Sequence, residues 1–113
     1  MISADASAVG SWIDVGPADD VPRGEHRVYA IDERYVAVYN VGGELYAIED
    51  LCTHDGNPLA DGLLEGLEVI CPRHGARFCL RTGAALCPPA YEAVATFAVA
   101  VRKARLCIGV GRA

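Results

Sequence analysis

Residues 52–75 read CTHDGNPLADGLLEGLEVICPRHG, and this stretch decides how the rest of the chain is interpreted. It carries a C-x-H pair and, sixteen residues later, a C-x-x-H pair. The chain contains three histidines, and two of them lie within three residues of a cysteine. Thiolate and imidazole groups are ligands of zinc and of iron–sulfur centres. The pattern therefore predicts one metal centre held by Cys52, His54, Cys71 and His74.

Turn-forming residues surround both pairs, as expected of loops rather than strands. Glycine and proline let the backbone turn tightly enough to aim both members of a pair at one centre. The residues concerned are Gly56, Pro58, Pro72 and Gly75. In a regular strand, the side chains of a C-x-H pair would share a face but would be held too far extended to meet one centre. We therefore predict a long loop over residues 52–64 and a short one over 72–75.

The segments around these loops are rich in Val, Ile and Tyr, as β-strands are. We predict strands over residues 28–31, 35–41, 44–48, 69–71, 76–80, 93–101 and 106–110. Turns are expected at Gly42-Gly43, at Thr82-Gly83 and at the basic residues 102–105, with a break at Pro88-Pro89. The alanines of residues 93–100 also permit a helix, but the alternation of side chains there favours a strand. Short strands with turns between them are typical of an antiparallel sandwich or barrel.

Length and composition favour one soluble domain that covers residues 1–113. The chain is 52% apolar, which is enough for a core, and it has neither an apolar run long enough to span a bilayer nor a signal-like start. Its formal charge of -5 argues against nucleic acid or anionic membrane as a partner and suits a basic protein partner. Five cysteines, an odd number, give no paired disulfide framework. We expect a cytoplasmic protein.

The two pairs and the residues around them resemble a known family. Cys52-Thr53-His54 followed by Cys71-Pro72-Arg73-His74-Gly75 resembles the two ligand boxes of Rieske proteins. Residues 74–78, Thr82-Gly83-Ala84 and Pro88-Pro89 are similar to the ferredoxin components of bacterial aromatic-ring dioxygenases, such as those for biphenyl, naphthalene or carbazole. The resemblance covers about residues 12–110. It implies an all-β fold, a Rieske-type antiparallel β-sandwich in three sheets, with two cluster-binding loops and a covering proline loop at Pro88-Pro89.

The resemblance also implies the cofactor and the role of each ligand. The cofactor is one Rieske-type 2Fe-2S cluster. Cys52 and Cys71 would bind its inner iron. His54 and His74 would bind the outer iron, on the side that faces solvent and through which the electron leaves.

By the same resemblance, the protein is an electron carrier and not an enzyme. It would take single electrons from an NAD(P)H-dependent ferredoxin reductase and pass them to a terminal oxygenase that hydroxylates aromatic compounds, and it would act as a monomer. High-potential relatives have a serine and a tyrosine that donate hydrogen bonds to the cluster, at the positions of Ala76 and Phe78 here. Because both hydroxyls are missing, we expect a low reduction potential, near about -150 mV.

Other interpretations of the ligand pattern are less well supported. Common zinc spacings begin with C-x-x-C or close with H-x-x-x-H, unlike the mixed order here. A Rieske-bearing oxygenase would need a second iron on two histidines and a carboxylate, which His26 alone cannot supply. The small Rieske-like subunit of nitrite reductases commonly lacks the cluster ligands, and Rieske subunits of cytochrome bc-type complexes have a disulfide at the positions of Asn57 and Arg73. An electron donor to another monooxygenase is a further alternative.

The remaining cysteines and charges are assigned structural roles. Cys79 and Cys107 lie in apolar strands and are predicted to be buried, whereas Cys87 lies beside the prolines. His26 is predicted to be a solvated loop residue. Acidic residues dominate positions 49–68, and arginines follow from position 73, so we expect a surface of mixed charge around the metal centre.

Overall fold

The computed structural model describes residues 9–53, 56, 58–60, 62–72, 75–88 and 90–111. Its elements are β1 (Val9–Pro17), a 3-10 helix (Ala18–Asp20), β2 (His26–Ile31), β3 (Arg34–Val41), β4 (Glu44–Glu49), β5 (Leu64–Glu65), β6 (Glu68–Ile70), β7 (Arg77–Cys79), β8 (Ala85–Cys87), β9 (Thr96–Arg102) and β10 (Arg105–Gly111). All seven predicted strands are present, with ends that differ by up to three residues. β1, β5 and β8 are additional. Within the described residues, no helix is long and apolar enough to cross a membrane.

All strand pairs formed by the described residues are antiparallel, which confirms the predicted all-β architecture. One sheet has six strands in the order β1-β10-β9-β4-β3-β2, and the other has four in the order β5-β6-β7-β8. The larger sheet consists of two three-stranded halves, joined by the residue pairs Ala47–Phe97 and Ile48–Thr96. The three sheets implied by the resemblance are therefore present as two halves of one sheet and a separate small sheet.

The half-sheet β2-β3-β4 lies between two apolar cores. Val36 and Val38 of β3 pack in one core, with side chains of β9 and β10. Ala37 and Tyr39 of the same strand pack in the other, with side chains of the small sheet and its loops. Alternate residues of a strand point to opposite faces, so a strand covered on both sides reads as a continuous apolar run. This is why residues 36–39 are all buried.

Two hairpin turns use backbone conformations with positive φ. Gly42 and Gly43, with φ of 63° and 95°, connect β3 to β4 as predicted, because glycine has no Cβ to oppose this conformation. The turn between β9 and β10 instead uses Lys103 and Ala104, with φ of 52° and 63°. The carbonyl of Ala104 accepts a hydrogen bond from the N–H of Ala18 (2.9 Å), which holds this less favourable turn against the 3-10 helix.

The small sheet lies between β4 and β9 in the chain. The N–H of Glu49 donates to the carbonyl of Ala95 (2.8 Å), beside the residue pairs that join β4 to β9. The chain therefore leaves the large sheet and returns to it at the same place. Both predicted metal-binding loops lie in the segment between these two points.

Candidate metal centre

Cys52 and Cys71 are buried in the same apolar core. Cys52 follows β4 and Cys71 follows β6, and their side chains are 0% and 1% exposed. The core around them lies between the half-sheet and the small sheet and includes Leu59 and Phe78. None of the five cysteines, all of which are described, forms a disulfide. The fold thus brings together the two cysteines that the sequence predicts as ligands.

The two histidines of the predicted ligand set, His54 and His74, lie outside the described residues. Asn57, Arg73 and Pro89 do so as well. Among the residues that are described, no group of three or more Cys, His, Asp or Glu side chains could hold a metal. The described part of the chain therefore contains two of the four predicted ligands, and the assignment of the two histidines stays a prediction.

Each ligand loop begins with the same backbone turn. The N–H of Gly56 donates to the carbonyl of Cys52 (2.7 Å), and the N–H of Gly75 donates to the carbonyl of Cys71 (3.1 Å). Both glycines have positive φ, 75° and 76°. The pairs differ in spacing, C-x-H against C-x-x-H, yet each cysteine has a glycine four residues later. The predicted tight turns are confirmed, and the two cysteines enter their loops through equivalent backbone geometry.

A third turn of this kind lies at Cys79. Its carbonyl accepts a hydrogen bond from the N–H of Gly83 (2.7 Å), whose φ is 78°. Burial alone would raise the pKa of the Cys79 thiol, but hydrogen bonds from Thr82 and from the backbone of Arg81, together with the charge of Arg81, lower it. The sequence signal for the turn is C-x-x-x-G between strands. The same pattern at Cys107 falls within β10 and forms no such turn.

The predictions for the residues outside the ligand pairs are partly wrong. Cys79 is only partly buried, whereas Cys107 is buried as predicted. His26 is exposed, as predicted, but it lies in β2 rather than in a loop, and its ring stacks on Tyr39 with the centroids 5.3 Å apart. His26 therefore packs on the large sheet through Tyr39.

Hydrogen bonds close both ligand loops at their far ends. One carboxylate oxygen of Asp50, Oδ1, accepts hydrogen bonds from the N–H groups of Leu59 (2.7 Å) and Ala60 (2.8 Å). The N–H of Cys71 donates to the carbonyl of Ala76 (2.7 Å), which closes the second loop. The first loop is thus fixed by a side chain two residues before its cysteine, and the second by the cysteine's own backbone.

Residues 87–92, which we call the proline segment, contact both loops. The hydroxyl of Thr53 donates to the carbonyl of Glu92 (2.7 Å). The thiol of Cys87 donates to the carbonyl of Gly75 (3.6 Å). Between these two contacts, Ala90 is 3% exposed and packs in the core that holds both ligand cysteines. The described residues of the proline segment therefore lie where a covering loop was expected.

Ion pairs balance the charges on the small sheet. Nη1 of Arg77 lies 2.7 Å from Oε1 of Glu65 and 3.4 Å from Oε1 of Glu68. Arg77, one of the arginines after the second ligand loop, thus meets the acidic residues of β5 and β6, which agrees with the expected surface of mixed charge. All three side chains are more than a third exposed, so these pairs contribute little to stability.

The sequence matches a known family over most of its length. The family is the Rieske 2Fe-2S domain, and the match covers residues 11–98. The ferredoxin component of the naphthalene 1,2-dioxygenase/salicylate 5-hydroxylase systems of Ralstonia sp is 40% identical over 96 residues, which are 85% of this chain and 92% of that protein. The 3-phenylpropionate/cinnamic acid dioxygenase ferredoxin subunit of Shigella flexneri is 47% identical over 87 residues, 75% of this chain and 80% of that protein.

Solved structures share the fold. The ferredoxin of carbazole 1,9a-dioxygenase from Nocardioides aromaticivorans IC177 matches with a TM-score of 0.82 at 29% identity, covering 88% of this chain and 98% of that one. A chain in the complex of reduced oxygenase and oxidized ferredoxin in carbazole 1,9a-dioxygenase matches with a TM-score of 0.81 at 32% identity, covering 90% and 95%. These similarities confirm the resemblance seen in the ligand boxes.

Proposed function

We propose that this chain, which belongs to the family of Rieske 2Fe-2S domains, delivers single electrons to the terminal oxygenase of an aromatic-ring dioxygenase system. Its relatives are ferredoxin components of such systems, and one related solved structure is a complex of a ferredoxin with its oxygenase. The chain is therefore an electron-transfer component and not itself a catalyst. The observation that carries the proposal is the burial of two thiols on equivalent loops of a fold that these ferredoxins share.

The proposed ligands of the single cluster are Cys52, His54, Cys71 and His74. The bound cluster supplies a one-electron couple, with two thiolates on one iron and two imidazoles on the other. Cys52 and Cys71 fit the thiolate-bound iron because both lie in a core from which water is excluded. Each loop also carries one histidine of a pair, so the donor set fits a Rieske centre in type and number.

The surface near the loops suits transient protein partners. Leu63, near the end of the first ligand loop, and Tyr91, directly after Ala90, are large apolar side chains that are 77% and 82% exposed. Exposed apolar side chains with charged residues around them are typical of interaction sites. We propose that the terminal oxygenase and an NAD(P)H-dependent ferredoxin reductase dock here in turn, and that the chain acts as a monomer in the cytoplasm.

The ligand assignment is tested by metal analysis and spectroscopy of the purified protein. We expect the iron and acid-labile sulfide of one 2Fe-2S cluster per chain, and a reduced-state EPR signal whose average g lies below that of all-cysteine clusters. Replacing Cys52, His54, Cys71 or His74 with Ala should abolish the cluster or leave it unstable, because each change removes a metal bond. Cys107→Ala is the matched control and should keep the cluster. Bound zinc without visible absorbance would contradict the assignment.

The partner assignment is tested by reconstitution. With NADH or NADPH, a ferredoxin reductase of an aromatic dioxygenase system should reduce the protein, and the reduced protein should then reduce the oxygenase of that system. If charged residues steer docking, the second-order rate should fall as the Debye length is shortened by salt from about 10 to 3 Å. A protein with an intact cluster that no such reductase reduces would reject the partners while leaving the ligand assignment in place.

A further inference from the structure

We infer that Thr53 and Cys87 are positioning residues that attach the two ligand loops to opposite ends of the proline segment. The inference rests on the proposed ligand set, because it concerns the loops that carry those ligands. Each of the two residues makes one hydrogen bond across the interface between a loop and the segment. Together they make the segment a strut that determines how far apart the two loops lie.

The first attachment is made by the residue between the two ligands of the first pair. Thr53 separates Cys52 from His54, and its hydroxyl donates to the carbonyl of Glu92 at 2.7 Å. This is a normal length for an O–H···O hydrogen bond. The two residues are 39 positions apart, so the bond restrains the loop against a distant part of the chain. A shift of the Thr53 backbone would move both neighbouring ligands.

The second attachment holds the residue that follows the second pair. Gly75 comes directly after His74, and its N–H already donates to the carbonyl of Cys71 (3.1 Å). Its carbonyl accepts the hydrogen bond from Cys87 (3.6 Å). Gly75 is thus held from both sides, by its own loop and by the proline segment. A thiol is a weak donor, so this attachment contributes less than the one at Thr53.

Two described residues between the attachments restrict the movement of the segment. Pro88 has a restricted φ, which limits how far the chain there can flex. Ala90 is anchored in the core that contains both ligand cysteines. The described residues of the segment are thus anchored in the middle and bonded to one ligand loop at each end. Breaking either bond therefore frees the loop at that end from the segment.

Release of either loop should admit water to the core and speed the loss of the cluster. One hydrogen bond contributes about 0.5–1.5 kcal/mol, so Thr53→Val should raise the rate of cluster loss to a chelator by roughly two- to tenfold. Cys87→Ala should raise it by about twofold, because its bond is weaker. Both variants should shift the midpoint potential upward, since water stabilises the more negative reduced state.

The experiment compares six variants of the holoprotein with the wild type. Thr53→Val and Cys87→Ala remove the attachments, and Thr53→Ser restores a hydroxyl. Thr82→Val and Cys107→Ala are the matched controls. The hydroxyl of Thr82 accepts a bond within its own turn (3.2 Å), and the Cys107 thiol lies in β10. The sixth variant combines Thr53→Val with Cys87→Ala. Because the two bonds hold different loops and Ala90 anchors the segment between them, the effects of the single substitutions should multiply in it, to roughly four- to twentyfold faster cluster loss than in the wild type.

Each outcome supports or overturns the inference. The inference is supported if Thr53→Val loses its cluster faster and has a shifted midpoint potential. Thr53→Ser should restore both wild-type values, and Thr82→Val should change neither. Equal rates and potentials in Thr53→Val and wild type overturn it and leave the ligand assignment intact. If Thr53→Val assembles no cluster, Thr53→Ser decides, because failure there too shows that the hydroxyl is not what matters. A wild type without a 2Fe-2S cluster rejects the ligand set, and this inference with it.

Discussion

Replacement of Asp50 tests how the first ligand loop is held. Oδ1 of this residue accepts hydrogen bonds from the N–H groups of Leu59 and Ala60, at 2.7 and 2.8 Å. Leu59 and Ala60 are 0% and 5% exposed, so water has little access to either group in the native fold. The N–H of Asp50 donates to the carbonyl of Tyr35 (2.8 Å), so the carboxylate is anchored to the large sheet. Asp50→Ala removes the acceptor and leaves both N–H groups without it.

The expected loss of stability follows from these contacts. Each buried N–H left without a partner costs about 1–3 kcal/mol. Because Asp50 is only half buried and water can enter where its side chain is removed, we take the lower part of the range, about 2–4 kcal/mol for the two groups together. That is a large share of the roughly 5–15 kcal/mol by which a domain is stable. Asp50→Asn keeps an acceptor oxygen but loses its charge, and should cost about 1 kcal/mol.

The assay is thermal unfolding of the cluster-containing protein, followed by far-ultraviolet circular dichroism. For a chain of 113 residues, 1 kcal/mol corresponds to a shift in Tm of about 4 °C, so Asp50→Ala should unfold about 8–16 °C lower and Asp50→Asn about 4 °C lower. All proteins are compared at one scan rate, because cluster loss makes unfolding irreversible. Asp19→Ala, at an exposed carboxylate of the 3-10 helix, is the control. An Asp50→Ala protein that unfolds within about 2 °C of this control would refute the reasoning.

Three further predictions concern single positions in the loops and turns. Gly83→Ala should lower the free energy of unfolding by about 3 kcal/mol or more, and Gly42→Ala by about 1–2 kcal/mol, as measured by denaturant unfolding. The reason is that a Cβ at Gly83 would lie 2.1 Å from the carbonyl oxygen of Val94, whereas a Cβ at Gly42 would meet nothing within 4 Å. Equal losses of unfolding free energy in the two variants would contradict this explanation. Ala76→Ser should raise the midpoint potential by roughly 40–90 mV, if the buried serine hydroxyl donates a hydrogen bond that stabilises the reduced cluster by about 1–2 kcal/mol. An unchanged potential in a folded variant would show that the hydroxyl makes no such bond. Cys79 should react with iodoacetamide at lower pH than the buried thiol of β10, because its pKa is lowered. Peptide mapping after alkylation across a pH series would measure both thiols. Alkylation of Cys107 at a lower pH than Cys79 would contradict the prediction.

The longer strands could be predicted from sequence because each carries its own local signal. β3, β4, β9 and β10 have several apolar residues in succession or alternation, and turns separate them. β5 and β8 are two and three residues long and contain no buried side chain, so no apolar pattern marks them. β1 contains Gly16 and Pro17, which favour a turn, and it pairs with β10 across two register shifts. The additional strands are therefore those that long-range pairing forms against weak local preference.

In the candidate site, too, local features could be predicted from the sequence, whereas contacts between distant residues could not. The turns at Cys52 and Cys71 depend on glycines four residues away, so local sequence predicts them. The bond from Thr53 to Glu92 spans 39 positions, and no pattern in either segment indicates it. Cys79 was expected to be buried because Phe78 and its other neighbour are apolar. Successive residues of a strand face opposite sides, however, and burial of Phe78 directs Cys79 to the outer face of the small sheet.

The hydrogen bond between Glu49 and Ala95 gives the metal-binding half of the molecule the character of an insert in a host sheet. The chain enters and leaves this insert through neighbouring positions of β4 and β9, where a short turn would close the host as an ordinary hairpin. When the two ends of an inserted segment are already held next to each other, each doubling of the segment's length costs only about 0.6 kcal/mol in closure entropy. Such a junction tolerates changes in the length and composition of the ligand loops without disturbing the register of the strands that carry them.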